Sequence, residues 1–317
     1  MINPDAQPID VDDMRDWLIE HRHSTGLSYN QLSKLTGIHA STLSVFKGNN
    51  YKGDNDKIAR ELFRYRQSLS NQKKLTITAP EVPTYFETAT SKELMTLLTT
   101  AHRGRLTFCA GGPGIGKTET AKEYRERAAQ VWLVTVLPSM NSINKLCMAV
   151  LRAMNDRTGK NNSTLSQYIL NKLEDSHGLL IFDDAQHLNL EQVEEIRGWY
   201  DITGTGVALL GNEEVVSRMQ GGSRQAAFAQ LYSRVGLRMI RNVPLRDDII
   251  AMADEWQIQD EKAVQFLMQI GRKPGGLRSC THALEIAGIL AKSKDQELSV
   301  DHISAAWAQL NHNPIAA

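Results

Sequence analysis

Gly111-Gly112-Pro113-Gly114-Ile115-Gly116-Lys117-Thr118 sets glycines, a lysine and a hydroxyl in the order G-x-x-x-x-G-K-[ST]. Glycines at 114 and 116 allow tight curvature, so that backbone N–H groups converge on phosphate oxygens. The helix that follows adds the positive end of its dipole to the same anion. Lys117 is placed to reach the β- and γ-phosphates as a mobile point charge, and the Thr118 hydroxyl to take a coordination position on Mg²⁺. The candidate cofactor-binding stretch runs from Gly111 to Glu119, and the chemistry it points to is that of a nucleoside triphosphate such as ATP, with Mg²⁺.

Further groups complete a candidate catalytic set. Leu179-Leu180-Ile181-Phe182 is an apolar run ending in Asp183-Asp184, which offers Asp183 to the metal beside Thr118 and Asp184 to an attacking water. Leu209-Leu210-Gly211-Asn212 ends a second run in an amide that either holds the water or γ-phosphate or caps the next helix. Arg224 and Arg234 are candidates for a guanidinium acting on a neighbour's nucleotide, with surface charge as the alternative. Arg278, opening a helix after Lys273-Pro274-Gly275-Gly276, is a candidate for the chain's own phosphates.

These groups need a scaffold. Leu106–Ala110, Val131–Val136, Leu179–Phe182 and Val207–Leu210 read as buried strands separated by helical stretches, an α/β core with a parallel sheet and helices on both faces. A last strand is expected after Leu231-Tyr232-Ser233-Arg234-Val235, and beyond Pro244 the pattern is wholly helical. The expected organisation is an all-α helix-turn-helix domain over 1–70, a linker over 71–84, the P-loop core over 85–244 and a helical lid over 245–317. In the first domain Ser28–Gly37 and His39–Gly48 have the rhythm of two helices around a turn; Leu43 and Phe46 point inward, and Ser41, Thr42, Ser44 and Lys47 outward. Those short polar side chains lack the bidentate Arg or Asn/Gln contacts that discriminate bases, so strong sequence specificity is not expected, and the alternative to DNA contact is a bundle that binds protein or nothing.

Over all 317 residues Lys+Arg and Asp+Glu both total 36, so no global charge argues for nucleic acid. Between His21 and Lys74, however, ten Lys and Arg stand against three acids, a segment whose charge suits phosphate. Cys109, Cys147 and Cys280 lack metal-ligand spacing and read as reduced core residues. With no long apolar run and no leader pattern, a cytoplasmic protein without membrane contact is expected.

The P-loop, Asp183-Asp184, Asn212, Ser233-Arg234 and Pro274-Gly275-Gly276-Leu277-Arg278 together resemble an AAA+ ATPase. Asn49-Asn50-Tyr51-Lys52-Gly53-Asp54-Asn55, Gly221-Gly222-Ser223-Arg224 and Gly271-Arg272-Lys273-Pro274-Gly275 narrow this. Over nearly the whole chain they are similar to the transposition protein B family of bacteriophage Mu. The resemblance implies an ATP-dependent, largely sequence-nonspecific binder of double-stranded DNA, carried by a mobile element or prophage in a bacterial cytoplasm. It implies a helical filament on target DNA that recruits and stimulates a transposase, with slow hydrolysis. Lys117, Thr118, Asp183, Asn212 and Arg278 would serve one protomer and Arg234 the next. It also implies DNA contacts from the ATPase pore face, for which Asn141, Lys145, Arg152, Arg157 and Lys160 are candidates, each with an ordinary solvated group as the alternative. One departure is that the family's Asp-Glu-Ala-Asp is Asp183-Asp184-Ala185-Gln186 here, a base one methylene shorter. A helicase loader or initiator, an operator-binding regulator and a scaffold with negligible turnover are alternatives on the same chemistry.

Overall fold

Asp10 and Ser28 start the first two helices through their side chains: Asp10 accepts from the Asp12 and Asp13 amides, and Ser28 shares a capping box with Gln31. The helices are α1 (Val11–Thr25) and α2 (Tyr29–Thr36), each stopped by a glycine in the left-handed region, Gly26 and Gly37. A short turn leads to α3 (Ala40–Phe46), and α4 (Asn55–Thr78) closes the bundle over a core that includes Met14, Leu18, Leu32, Leu43, Phe46 and Leu62. The computed structural model describes residues 9–48, 50–78, 85–156, 164–213 and 233–310, and the chain divides into two units, Met1–Pro80 and Glu81–Ala317. Helix α4 runs on to Thr78, through most of the stretch expected as linker. That stretch is polar, but it holds no Gly or Pro before Pro80, so nothing in it breaks the helix.

In the second unit β1 (Leu106–Gly111), β2 (Val131–Thr135), β3 (Leu179–Asp183), β4 (Gly206–Gly211) and β5 (Val235–Arg241) form one parallel sheet in the order β2-β3-β4-β1-β5. Strands β1, β3 and β4 are buried at every position, because they are paired on both edges and covered on both faces. Alternation divides their side chains. Phe108, Phe182 and Leu209 face one layer, Cys109, Ile181 and Leu210 the other.

The second of these layers packs on α5 (Ala89–His102) and α6 (Lys117–Arg127), the first on α7 (Ile143–Ala153), α8 (Leu165–Leu173) and α9 (Leu190–Thr203). Truncating a fully buried side chain such as Phe182 to alanine costs about 3–5 kcal/mol. Beyond β5, α10 (Arg246–Glu255), α11 (Glu261–Gly271), α12 (Gly276–Ser293) and α13 (Val300–Leu310) enclose their own core of Leu267, Ile270, Leu284, Ala287, Ile303 and Trp307. This lid is tied to the sheet domain by Asp248, wholly buried, which accepts from the Thr90 amide (2.8 Å), the Thr90 hydroxyl (2.5 Å) and the Leu245 amide (2.8 Å). One carboxylate thus caps the starts of α5 and α10.

Candidate active site

Strands β1, β3 and β4 are neighbours, so their carboxyl ends bring the glycine loop, Asp183 and Asn212 to one edge of the sheet, where open α/β folds bind ligands. Gly114 and Gly116 adopt φ of 75° and 96°, a region open to glycine, and Gly116 caps α6 so that Lys117 and Thr118 open the helix. The loop is wedged between two backbones. A Cβ on Gly112 would lie 1.9 Å from the Asn242 carbonyl oxygen, and one on Gly114 would lie 1.8 Å from that of Gly275. The Leu277 amide donates to the Gly114 carbonyl at 2.9 Å, so the start of lid helix α12 is hydrogen-bonded to the phosphate loop.

Lys117 Nζ donates to the carbonyls of Gly111 (2.7 Å) and Gly112 (2.9 Å), and burial lowers its pKa. The Thr118 hydroxyl donates to Asp183 Oδ2 at 2.6 Å, while Asp183 Oδ1 is buried without a hydrogen-bond partner. Burial pushes the Asp183 carboxyl above its ordinary range, against the stabilising Thr118 bond. A buried carboxylate with an orphaned oxygen beside a hydroxyl is a donor set that fits a hard cation, so Thr118 and Asp183 suit Mg²⁺. Asp184 turns the chain at φ 56°, and its Oδ1 accepts from Gln186 Nε2 at 3.0 Å. Behind the loop Cys109 is buried, its thiol pushed up to about 12, too high to supply a nucleophile.

A cleft of about 590 Å³ joins these groups. Gly111, Pro113, Gly114, Gly116, Lys117, Thr118, Glu119, Asp184, Asn212 and Arg278 line it. Asp183 lies behind Thr118, and Gly112 and Ile115 back the loop. The sequence reading missed Tyr85, Phe86 and Thr88, which lead into α5, Ser91 in its first turn, and Thr281, His282 and Glu285, which line the cleft one helical turn and two beyond Arg278. The second group was findable, since positions 278, 281, 282 and 285 share one face of a helix.

Arg234 is elsewhere. It precedes β5, whose Val235 is level with Leu106 at the start of β1, whereas the phosphate loop follows the end of β1. Six strand residues separate those levels, about 20 Å at the usual rise. Arg234 Nε donates to Asp201 Oδ1 at 2.8 Å instead. Arg224 lies outside the described residues, as do Arg157 and Lys160.

Among the other candidates, Lys145 Nζ donates to the Ser139 carbonyl and to Asn141 Oδ1, both at 2.9 Å, which orders the loop after β2. Arg152 is exposed in the last turn of α7. In the first unit Ser44 and Lys47 are exposed, Thr42 is half-buried and Ser41 meets His39 Nδ1 at 2.8 Å. The Tyr29 ring is flanked by Arg22 at 4.5 Å and Lys47 at 5.5 Å. No helix among the described residues is long and apolar enough to cross a membrane.

Comparison with known proteins agrees with this architecture. Residues 100–219 match the AAA domain family, and residues 233–310 match the family described as Mu B transposition protein, C terminal. In fold, the Aeropyrum pernix ORC2 protein, solved as ADPNP and ADP complexes, is similar with a TM-score of 0.52 over 70% of this chain and 66% of its own, at 15% identity. The ATP-dependent target DNA activators B of Escherichia phages D108 and Mu are each 35% identical over 298 residues, 93% of this chain and 93% of theirs. Identity at that level along almost the full length of both chains places this protein in the Mu B transposition protein family.

Proposed function

We propose that this chain is an ATPase that binds target DNA in the ATP-bound state, forms filaments on it, and recruits and stimulates a transposase. The observation that carries the nucleotide half is the Thr118–Asp183 pair beneath a glycine loop hydrogen-bonded to the lid. The relatives named ATP-dependent target DNA activators support the DNA half. Binding would be to phosphates, with little sequence preference and a steep dependence on salt.

In this reading the loop amides and Lys117 hold the β- and γ-phosphates, and Arg278 meets the same phosphates from the lid. Thr118 and Asp183 would hold Mg²⁺, which would supply positive charge to offset that on the phosphate oxygens. Asp184 orients the attacking water and accepts its proton; its short side chain, held by Gln186, makes hydrolysis slow. Asn212 hydrogen-bonds the water or γ-phosphate from the end of β4. Arg234, at the far edge of its own sheet, serves the nucleotide of the next protomer.

Release from DNA follows hydrolysis, so the protein acts as a switch. The helix-turn-helix unit, with its basic surplus, supplies further phosphate contacts. The test is Asp184→Ala, assayed by single-turnover hydrolysis and DNA retention. Turnover should fall at least ~10²-fold with nucleotide binding intact, leaving an ATP-bound, DNA-bound state. Unchanged turnover removes Asp184 from the mechanism.

A further inference from the structure

Helix α9 carries a ladder of alternating charge. Glu194 Oε2 meets Arg197 at 2.6 Å, Arg197 meets Asp201 Oδ2 at 3.5 Å, and Asp201 Oδ1 accepts from Arg234 Nε at 2.8 Å. Residues 194, 197 and 201 lie three and four apart, on one face of the helix. The ladder therefore reaches a guanidinium that belongs to another part of the chain. Helix α9 begins just after the Asp184 turn, and its 14 residues carry it about 20 Å to the opposite edge of the sheet. Beside Asp201, Ile202 is 72% exposed, which makes this corner a mixed apolar and charged surface.

From this geometry we infer that Asp201 is a positioning residue for Arg234, holding its guanidinium for the γ-phosphate in the cleft of a second copy of this chain. The inference rests on the reading that Arg234 acts in trans. Its own content is the role of Asp201 and of the ladder behind it. A bond through Nε grips the guanidinium on its stem side and fixes its plane, and a planar fork is most effective on phosphate when its orientation is set beforehand. Asp201 is itself steadied by Arg197, which Glu194 holds in turn. The second copy is the fitting occupant because the surface pairs a cation with an exposed aliphatic side chain, and the cleft it would meet is the one proposed to take the nucleotide's phosphates.

The experiment is steady-state ATP turnover of the full chain with random-sequence duplex DNA, at protein concentrations where turnover per protomer no longer rises. The variants are Arg234→Ala, Asp201→Asn, Asp201→Glu and Arg197→Gln, each checked for folding by thermal melt. Asp201→Asn keeps the shape and removes the charge, so kcat should fall about tenfold while KM for ATP stays within about twofold, because the residue is remote from its own cleft. Asp201→Glu should recover part of the loss. Arg197→Gln should lower kcat in the same direction by about threefold, and Arg234→Ala by about 10³-fold. A large loss in Arg234→Ala with unchanged kcat in Asp201→Asn overturns the role of Asp201 and leaves the trans reading standing. Unchanged kcat in Arg234→Ala overturns both. A KM rise in Asp201→Asn at constant kcat also overturns the inference, since it would place Asp201 in nucleotide binding.

Discussion

Gly114→Ala is a sharp perturbation of the contact between phosphate loop and lid. The new Cβ would lie 1.8 Å from the Gly275 carbonyl oxygen, 2.7 Å from its carbon and 3.2 Å from the Arg278 amide nitrogen. All three are backbone atoms, so no rotamer change relieves the collision, and either the loop or the start of α12 must move. Movement breaks the bond from the Leu277 amide to the Gly114 carbonyl, worth about 1 kcal/mol, and φ of 75° adds roughly another 1 kcal/mol of left-handed strain. If about 2 kcal/mol is drawn from the closed cleft, nucleotide affinity should fall roughly 30-fold. The assay is equilibrium titration with a fluorescent ATP analogue. Gly204→Ala is the control, because it has φ of 66° and nothing within 4 Å of the added Cβ, so it carries the strain without the collision. Gly204→Ala should lower thermal stability slightly and leave affinity unchanged. Wild-type affinity in Gly114→Ala would refute the claim that the lid is docked on the loop.

Two other changes probe the buried carboxylates. Burial raises the folded-state pKa of Asp183 above its ordinary 3.8, so the stability contributed by this group is full below the unfolded value and is lost as pH rises through the folded one. Asp183→Asn should therefore raise the melting temperature at neutral pH in EDTA, by about 2–4 °C for each kcal/mol gained, while turnover collapses; a lower melting temperature would contradict the charge argument. Asp248→Asn should do the opposite, because an amide turns a donor toward the Thr90 or Leu245 donors it now faces, at a cost of about 3 kcal/mol or on the order of 10 °C. A melt within about 1 °C of wild type would show that the Asp248 cap does not hold the lid to α5.

The sheet was legible because each strand declares itself locally. Leu106–Ala110 precedes a glycine loop, Leu179–Phe182 is a continuous apolar run, and the expected limits of the first four strands lie within a residue of those found. The carboxyl-end position of Asp183 and Asn212 followed from the same runs. Less legible was whatever depends on contacts between distant segments. The Asp248 cap joins residues 158 apart, and no local pattern marks Thr90 as its partner. Tyr85 and Phe86 line the cleft only because the segment before α5 passes beneath the lid. The end of α4 was misread because polar composition resembles a linker, whereas helix termination needs a breaker, and the first is Pro80.

The most direct test of the proposed function is to mix the full chain with random-sequence duplex DNA in ATP, in ADP and without nucleotide, and to image the products beside Lys117→Ala. ATP-dependent filaments on any duplex, absent in the variant, are the predicted result. Nucleotide-independent binding without filaments, or binding confined to one sequence, would contradict the account and favour a loader or an operator-binding regulator.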